Sequence, residues 1–292
     1  MRTRIISAVV GAPLLIAIVL WPGGAVPFPG WPFALFVAAL VLIGLREFYD
    51  GCRSAGLAPR DHFGYAAGCL FFYLATPLVP EQDGRPLRLG LTVLVMLSLV
   101  VEALREDRAP LKNLAPTWLG AFYVGWLFPF ALLLRLASPE AALRIGWTLP
   151  PGWMAGPGAG AWLVLFTLLV TSAVDTGAYF AGKALGKHKL APTLSPGKTW
   201  EGSIGGFVAA LVVGGLLAMA LRLPLAFALA AAGLIGLLAQ LGDLIESALK
   251  REIGIKDFGT LIPGHGGVLD RFDSLLFTAP VVYWLLTLWP AG

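Results

Sequence analysis

The fold class predicted by this sequence is an all-α, polytopic integral membrane protein of about nine transmembrane helices. Three observations predict it. Hydrophobic residues make up 58% of the 292 and charged residues only 13%, about half of the ~25% charge expected of a soluble domain. Mean hydropathy is +0.80. The apolar residues gather into runs long enough to span a bilayer, separated by Pro, Gly and basic residues. A soluble globule could not cover its surface with so few charges, which excludes disordered, fibrous and ordinary cytosolic classes.

A hydrocarbon core of about 30 Å needs about 20 apolar residues in a helix. The first segment, Ile5–Trp21, follows Arg2 and Arg4 and could be mistaken for a signal peptide. Its apolar run is longer than a typical signal core, so a retained span is expected, although Gly23 and Ala25 weakly imitate a cleavage site. The Pro- and Gly-rich stretch Pro22–Pro32 separates it from Trp31–Leu45. Gly64–Val79, Leu87–Leu104 and Leu114–Leu136 follow. Leu149–Gly158 is a second Pro- and Gly-rich break, after which come Ala159–Ala181, Ser203–Leu221, Leu225–Leu249 and Phe272–Trp289. The glycines and alanines inside these runs suit close helix approach in lipid. Trp21, Trp31, Trp200 and Trp289 sit where interfacial anchors belong. No internal repeat is evident.

Orientation follows from the basic residues. Sixteen of the 21 Lys and Arg fall on one set of alternate gaps, leaving Arg85, Arg88, Arg135, Arg144 and Arg222 on the other. Basic loops stay cytoplasmic, so the amino terminus is expected inside and the carboxyl terminus outside. Residues 1–150 then carry spans one to five, and residues 151–292 carry spans six to nine with two cytoplasmic loops that hold the candidate site.

An ionisable group within a span costs at least a few kcal/mol, so such groups are functional candidates. Asp175, Asp243, Glu246 and Asp273 stand out, all toward cytoplasmic ends. Structural ion pairs could account for one such carboxylate but account poorly for a cluster beside Gly-rich loops. Asp243, Glu246 and Lys250 share a helix face at i, i+3 and i+7, and Asp270 and Asp273 share another at i, i+3. Carboxylates converging from two helix ends make an oxygen-rich site for a hard cation such as Mg²⁺.

The loop between them, Lys250–Arg271, contains five glycines. Its Gly264-His265-Gly266-Gly267 turn can bring backbone N–H groups to an anion. The other loop, Gly182–Gly206, is rich in lysine and glycine and leads into a helix, a fitting anion cradle. Gly197-Lys198-Thr199 is not a P-loop, because Pro192 stands where that motif needs glycine and no strand precedes it. The bland reading of its lysines is topology-setting charge. Cys52 and Cys69 have no C-x-x-C spacing, so neither a disulfide framework nor a zinc site is supported.

Three stretches carry a family resemblance. Ser247-Ala-Leu-Lys250-Arg251, Lys256-Asp257-Phe-Gly259 and Pro263-Gly-His265-Gly266-Gly267-Val-Leu-Asp270-Arg271-Phe-Asp273 together resemble the signature of the phosphatidate cytidylyltransferases, with no departure across these 27 positions. Asp175-Thr176-Gly177-Ala178-Tyr179 with Ser195-Pro-Gly-Lys198-Thr199-Trp200-Glu201-Gly202, and Gln240-Leu-Gly-Asp243-Leu-Ile-Glu246-Ser247, are similar to the family as well. The first 150 residues resemble it only as hydrophobic spans.

The resemblance implies the reaction of CTP with phosphatidate to give CDP-diacylglycerol and pyrophosphate. It implies a multi-span enzyme of the cell (inner) membrane, dependence on Mg²⁺ with room for a second cation such as K⁺, and a homodimer; no nucleic-acid partner is expected. Metal-binding carboxylates carry over to Asp243 and Asp270, with Asp273 beside them as ligand or near neighbour. Lys198 and Lys250 carry over to the catalytic set. Contacts to the nucleotide and its phosphates fall to Ser195, Lys198, Thr199, Lys250, Arg251, His265, Gly266, Gly267 and Arg271. The roles of Asp175 and Glu246 stay open. Two rivals share some of these features. A CTP-dependent lipid kinase acting on dolichol or diacylglycerol would keep the metal and nucleotide sites. An ion-coupled transporter would use the carboxylates differently but should show repeat symmetry.

Overall fold

The computed structural model describes residues 2–24, 28–79, 85–105, 109–148, 156–262 and 266–290, with backbone alone for 2–10 and for 85 and 86. The chain is helical almost throughout. Its helices are α1 (Arg2–Leu20), α2 (Trp31–Ser54), α3 (Asp61–Leu74), α4 (Arg85–Ala103), α5 (Pro110–Gly120), α6 (Pro129–Arg135), α7 (Pro139–Arg144), α8 (Gly158–Leu185), α9 (Trp200–Leu221), α10 (Leu225–Ile253) and α11 (Leu269–Leu288).

Each of the nine apolar segments overlaps a helix, although Gly64–Val79 outruns α3, which ends at Leu74. Five helical stretches are long and apolar enough to cross a membrane: Trp31–Ser54, Pro110–Arg135, Gly158–Leu185, Trp200–Leu221 and Leu225–Ile253. The chain is therefore a multi-pass membrane protein. The count of nine rests on the sequence; α3, for example, has 14 residues, a length of about 21 Å at 1.5 Å per residue.

Span five is not a uniform helix. Between α5 and α6 the residues Ala121–Trp126 form a π-helical segment. Pro129 lies just beyond it and has no N–H to give the carbonyl four residues back, so the regular ladder cannot continue there. Gly120 packs against Phe48 and Tyr49, and Gly125 against Gly68, so the irregular stretch is held by close contacts with α2 and α3.

The Gly182–Gly206 loop departs from the all-α expectation. Lys189–Ala191 and Ser195–Thr199 pair as a small antiparallel hairpin, β1 and β2. Too few residues lie between the breaks for periodicity to reveal it, and Pro192 and Pro196 disguise the strands. The hairpin ends in a cap: Thr199 Oγ1 accepts the Gly202 N–H at 3.1 Å and starts α9.

Beyond the cap, α9 lies back along α8 on a seam of small residues. A Cβ placed on Gly177 would meet Ala209 and the backbone of Gly205 and Gly206, and one on Gly205 would meet Ala181. Only glycine permits this approach. The opposite face of α9 presents Ile204, Val208, Val212 and Leu216 outward at a spacing of four, an apolar stripe suited to lipid. The α10 helix closes against α9 through Gly236 on Phe207, and against α11 through Gly242 on Phe277. The core includes fully buried Phe48, Tyr49, Phe128, Phe166 and Phe227, so the two halves of the sequence share it.

Candidate active site

Two polar clusters meet along α10, which carries Asp243, Glu246, Ser247 and Lys250 on one side. The first faces the hairpin. Lys198, on β2, places its ammonium 2.7 Å from Asp243 Oδ2, and Ser247 Oγ donates to Asp243 Oδ1 at 3.4 Å. Glu201 draws the preceding turn inward by accepting the N–H groups of Lys187 at 3.1 Å and His188 at 3.2 Å, and by pairing with the His188 ring. At the tip, Arg251 Nε donates to the Leu194 carbonyl at 3.4 Å and ties the hairpin to the end of α10. These contacts frame a cavity of about 440 Å³ lined by Asp175, Tyr179, Lys183, Lys198, Thr199, Gln240 and Asp243. Gln240 is fixed by donating to the Gly236 and Ser203 carbonyls at 2.7 and 3.2 Å.

The second cluster is more deeply buried. Lys250 Nζ lies 2.8 Å from Glu246 Oε1 and 2.9 Å from Asp270 Oδ1. Asp270 Oδ2 accepts the N–H groups of Phe258 at 2.9 Å, Gly267 at 2.8 Å and Gly259 at 3.4 Å. Asp270 thus gathers three backbone donors of the Gly-rich loop onto one oxygen. Asp273, one turn along α11, is a like-charge neighbour of both Asp243 and Glu246, and so joins the clusters.

A second cavity, of about 310 Å³, lies on the far side of Asp175. Asp175, Arg271 and Asp273 stand among its lining, and the rest is largely apolar, drawn from α1, α8 and α11. Asp175 lines both spaces. A polar chamber and an apolar groove therefore share one carboxylate wall.

The residues singled out from sequence distribute unevenly. Lys198, Thr199 and Asp243 line the polar chamber; Lys250 and Asp270 form the buried pair; Asp273 lies between. Arg271 joins the apolar groove instead. Ser195 opens β2 and Arg251 is an exposed tether, so neither lines the chamber. The Gly267 N–H is committed to Asp270, and the Gly266 carbonyl accepts from Ile262 at 2.9 Å. His265 lies outside the described residues.

Two residues escaped sequence reasoning. Glu47 sits within an amphipathic extension of α2, where it reads as one surface charge among many. Tyr123 lies on the π-helical segment, its hydroxyl buried without a hydrogen-bond partner, with Glu246 and Asp273 among its charged neighbours. An isolated tyrosine in an apolar run gives no signal.

The donor chemistry suits a hard cation: Asp175, Asp243 and Asp273 are mutual like-charge neighbours, and among the described residues no sulfur or imidazole lines the two cavities. Among the described residues, no three such side chains are gathered closely enough to hold an ion as they stand. Lysine ammoniums hold the places of positive charge, so a cation would compete with Lys198 and Lys250.

Compared with known proteins, the chain matches the cytidylyltransferase family over residues 2–289. It is 47% identical to the phosphatidate cytidylyltransferase of Bacillus subtilis over 290 residues, covering 99% of this chain and 98% of that protein. It is 36% identical to the phosphatidate cytidylyltransferase of Synechocystis over 297 residues, covering 98% and 96%. The Pseudomonas aeruginosa phosphatidate cytidylyltransferase is 35% identical over 300 residues, covering 100% and 98%.

Proposed function

This chain belongs to the cytidylyltransferase family, and on that premise we propose that it makes CDP-diacylglycerol from CTP and phosphatidate, releasing pyrophosphate. The observation that carries the substrate assignment is the shared Asp175 wall. A polar, lysine-lined chamber suits the triphosphate, and the apolar groove beside it suits a lipid whose head must reach the same place.

The phosphate oxygen of phosphatidate attacks the α-phosphorus of CTP; a P–O bond forms as the bond to the β-phosphate bridging oxygen breaks, and pyrophosphate leaves with its electron pair. The nucleophile is already ionised near neutral pH, so no general base is required. The protein's task is to align two anions and offset their charge. Lys198 and Lys183 face the chamber and supply positive charge there. Arg271 offers a guanidinium to the lipid phosphate from the groove side. Gln240, fixed by two carbonyls, shapes the chamber floor.

Mg²⁺ is proposed as the resident cation, with a second ion such as K⁺ beside it, and would supply charge neutralisation of the phosphates. The residues that would hold it are Asp243, Asp270 and Asp273, of which Asp243 is the most open. The basic-residue bias supports a chamber facing the cytoplasm. The family resemblance supports a homodimer.

Incubating the purified protein with phosphatidate and CTP labelled at the α- or the γ-phosphate tests the reading. Label from the α position should appear in CDP-diacylglycerol. Transfer of the γ label to a lipid alcohol would overturn it in favour of a kinase.

A further inference from the structure

The carboxylate of Glu47 is buried, yet among the described residues no Lys, Arg or His pairs with it. Its oxygens instead accept backbone: Oε1 takes the Val268 N–H and Oε2 the Leu269 N–H, each at 3.0 Å. These are orphan donors at the opening of α11, and Val268, at the cap position, has no side-chain oxygen to satisfy them. Glu47 performs the capping from α2, in the other half of the chain. The positive end of α11 gives the buried charge further compensation.

The loop is shaped around this carboxylate. A Cβ on either Gly259 or Gly267 would collide with it, so glycine at both positions lets the backbone close over it. Neighbouring residues on α2 extend the contact: Phe48 stacks on Phe258 with ring centres 6.0 Å apart, and Gly51 receives Phe258 and Ile255. Asp270 meanwhile accepts the Gly267 N–H. Two carboxylates thus fix three consecutive N–H groups, at residues 267, 268 and 269, immediately before the Asp270–Asp273 pair.

We infer that Glu47 is a positioning residue for the reaction: it sets the start of α11, and through it the places of Asp270 and Asp273. The inference deepens the proposed function and rests on it only for its kinetic arm. Glu47→Gln preserves shape but replaces one acceptor with an NH₂ group that faces an N–H.

The test combines steady-state kinetics per folded molecule with backbone hydrogen exchange in detergent. In the unaltered protein the Val268 and Leu269 amides should be protected; exchange at the rate of an open loop would overturn the inference without any variant. In Glu47→Gln, exchange at residues 266–270 should rise while that of α8 and α9 stays fixed. Its kcat should fall at least tenfold with KM for CTP within about threefold, the pattern of a lost transition-state arrangement. A variant with unchanged exchange there, or with kcat falling only as the folded fraction falls, would reduce Glu47 to a structural ion. If the unaltered protein makes no CDP-diacylglycerol, the proposed function fails, and the exchange result alone still decides whether Glu47 fixes the loop.

Discussion

The Lys198 ammonium and the Asp243 carboxylate stand 2.7 Å apart and join the hairpin to α10 across the mouth of the polar chamber. The Asp243 side chain is 39% exposed, whereas the Lys198 ammonium is enclosed, so the carboxylate is the open member of the pair. An exposed carboxylate gains little stability from such a pair, and both residues line the chamber where a ligand would bind.

Lys198→Ala should therefore leave the melting temperature nearly unchanged. Loss of one charge-assisted phosphate contact, worth about 1.5–3 kcal/mol, should lower kcat/KM for CTP by roughly tenfold to a hundredfold. Steady-state kinetics with varied CTP checks this. An unchanged kcat/KM would return Lys198 to a topology charge.

Asp243→Asn and Asp270→Asn should differ in a way that separates their surroundings. Both should nearly abolish turnover. Asp243→Asn should melt like the parent protein, because the Asp243 side chain is 39% exposed and the amide oxygen of asparagine can still accept from the Lys198 ammonium. Asp270→Asn should also melt early: its side chain is 3% exposed, and breaking a buried pair costs about 3–5 kcal/mol. Thermal melting and turnover measured together across a Mg²⁺ titration would show it. Near-normal turnover of both variants at saturating Mg²⁺ would remove them from the metal site.

The α8–α9 seam should tolerate no added bulk. Gly205→Val places a side chain against Ala181 and the Gly177 carbonyl, and overpacking of this kind costs about 1–3 kcal/mol. A lowered melting temperature is expected, whereas Gly197→Ala, where a Cβ meets open space, should melt normally. Equal melting of the two would contradict the seam.

Membrane orientation can be read by labelling. With the exposed Cys69 replaced, a cysteine at exposed Lys187 should react with an impermeant maleimide only after the cytoplasmic face is opened. Labelling in intact cells would invert the proposed topology.

Much of this was legible in the sequence, and the reasons differ by residue. Hydropathy located the long apolar helices, because burial in lipid writes itself into composition, but not the short α7 (Pro139–Arg144). Asp243 and Asp273 are legible because a charge in or at the edge of an apolar run must have a partner or a task, and Lys250 and Asp270 because they share helix faces with them. The hairpin was not legible, since three- and five-residue strands broken by proline carry no period. Glu47 was hidden for another reason. It meets α11 backbone 221 and 222 positions away, and only the tertiary packing of α2 against the loop makes that contact. In the Gly-rich turn, expected as a nest for a substrate anion, the Gly267 N–H meets the protein's own Asp270.

The glycine seam between α8 and α9 has a mechanical consequence. Two helices whose backbones already touch can neither draw closer nor separate without opening a void. One jaw of the chamber is therefore fixed, with Asp175 and Tyr179 mounted on it. The opposite jaw is the hairpin, hung from polar contacts at Lys198, Glu201 and Arg251. A change of width that admits one molecule and expels another falls to the hairpin and to α10, which carries Gln240 and Asp243. The dimension against which substrates are gauged is consequently set by main chain, and side-chain substitution within the seam can spoil it but cannot retune it.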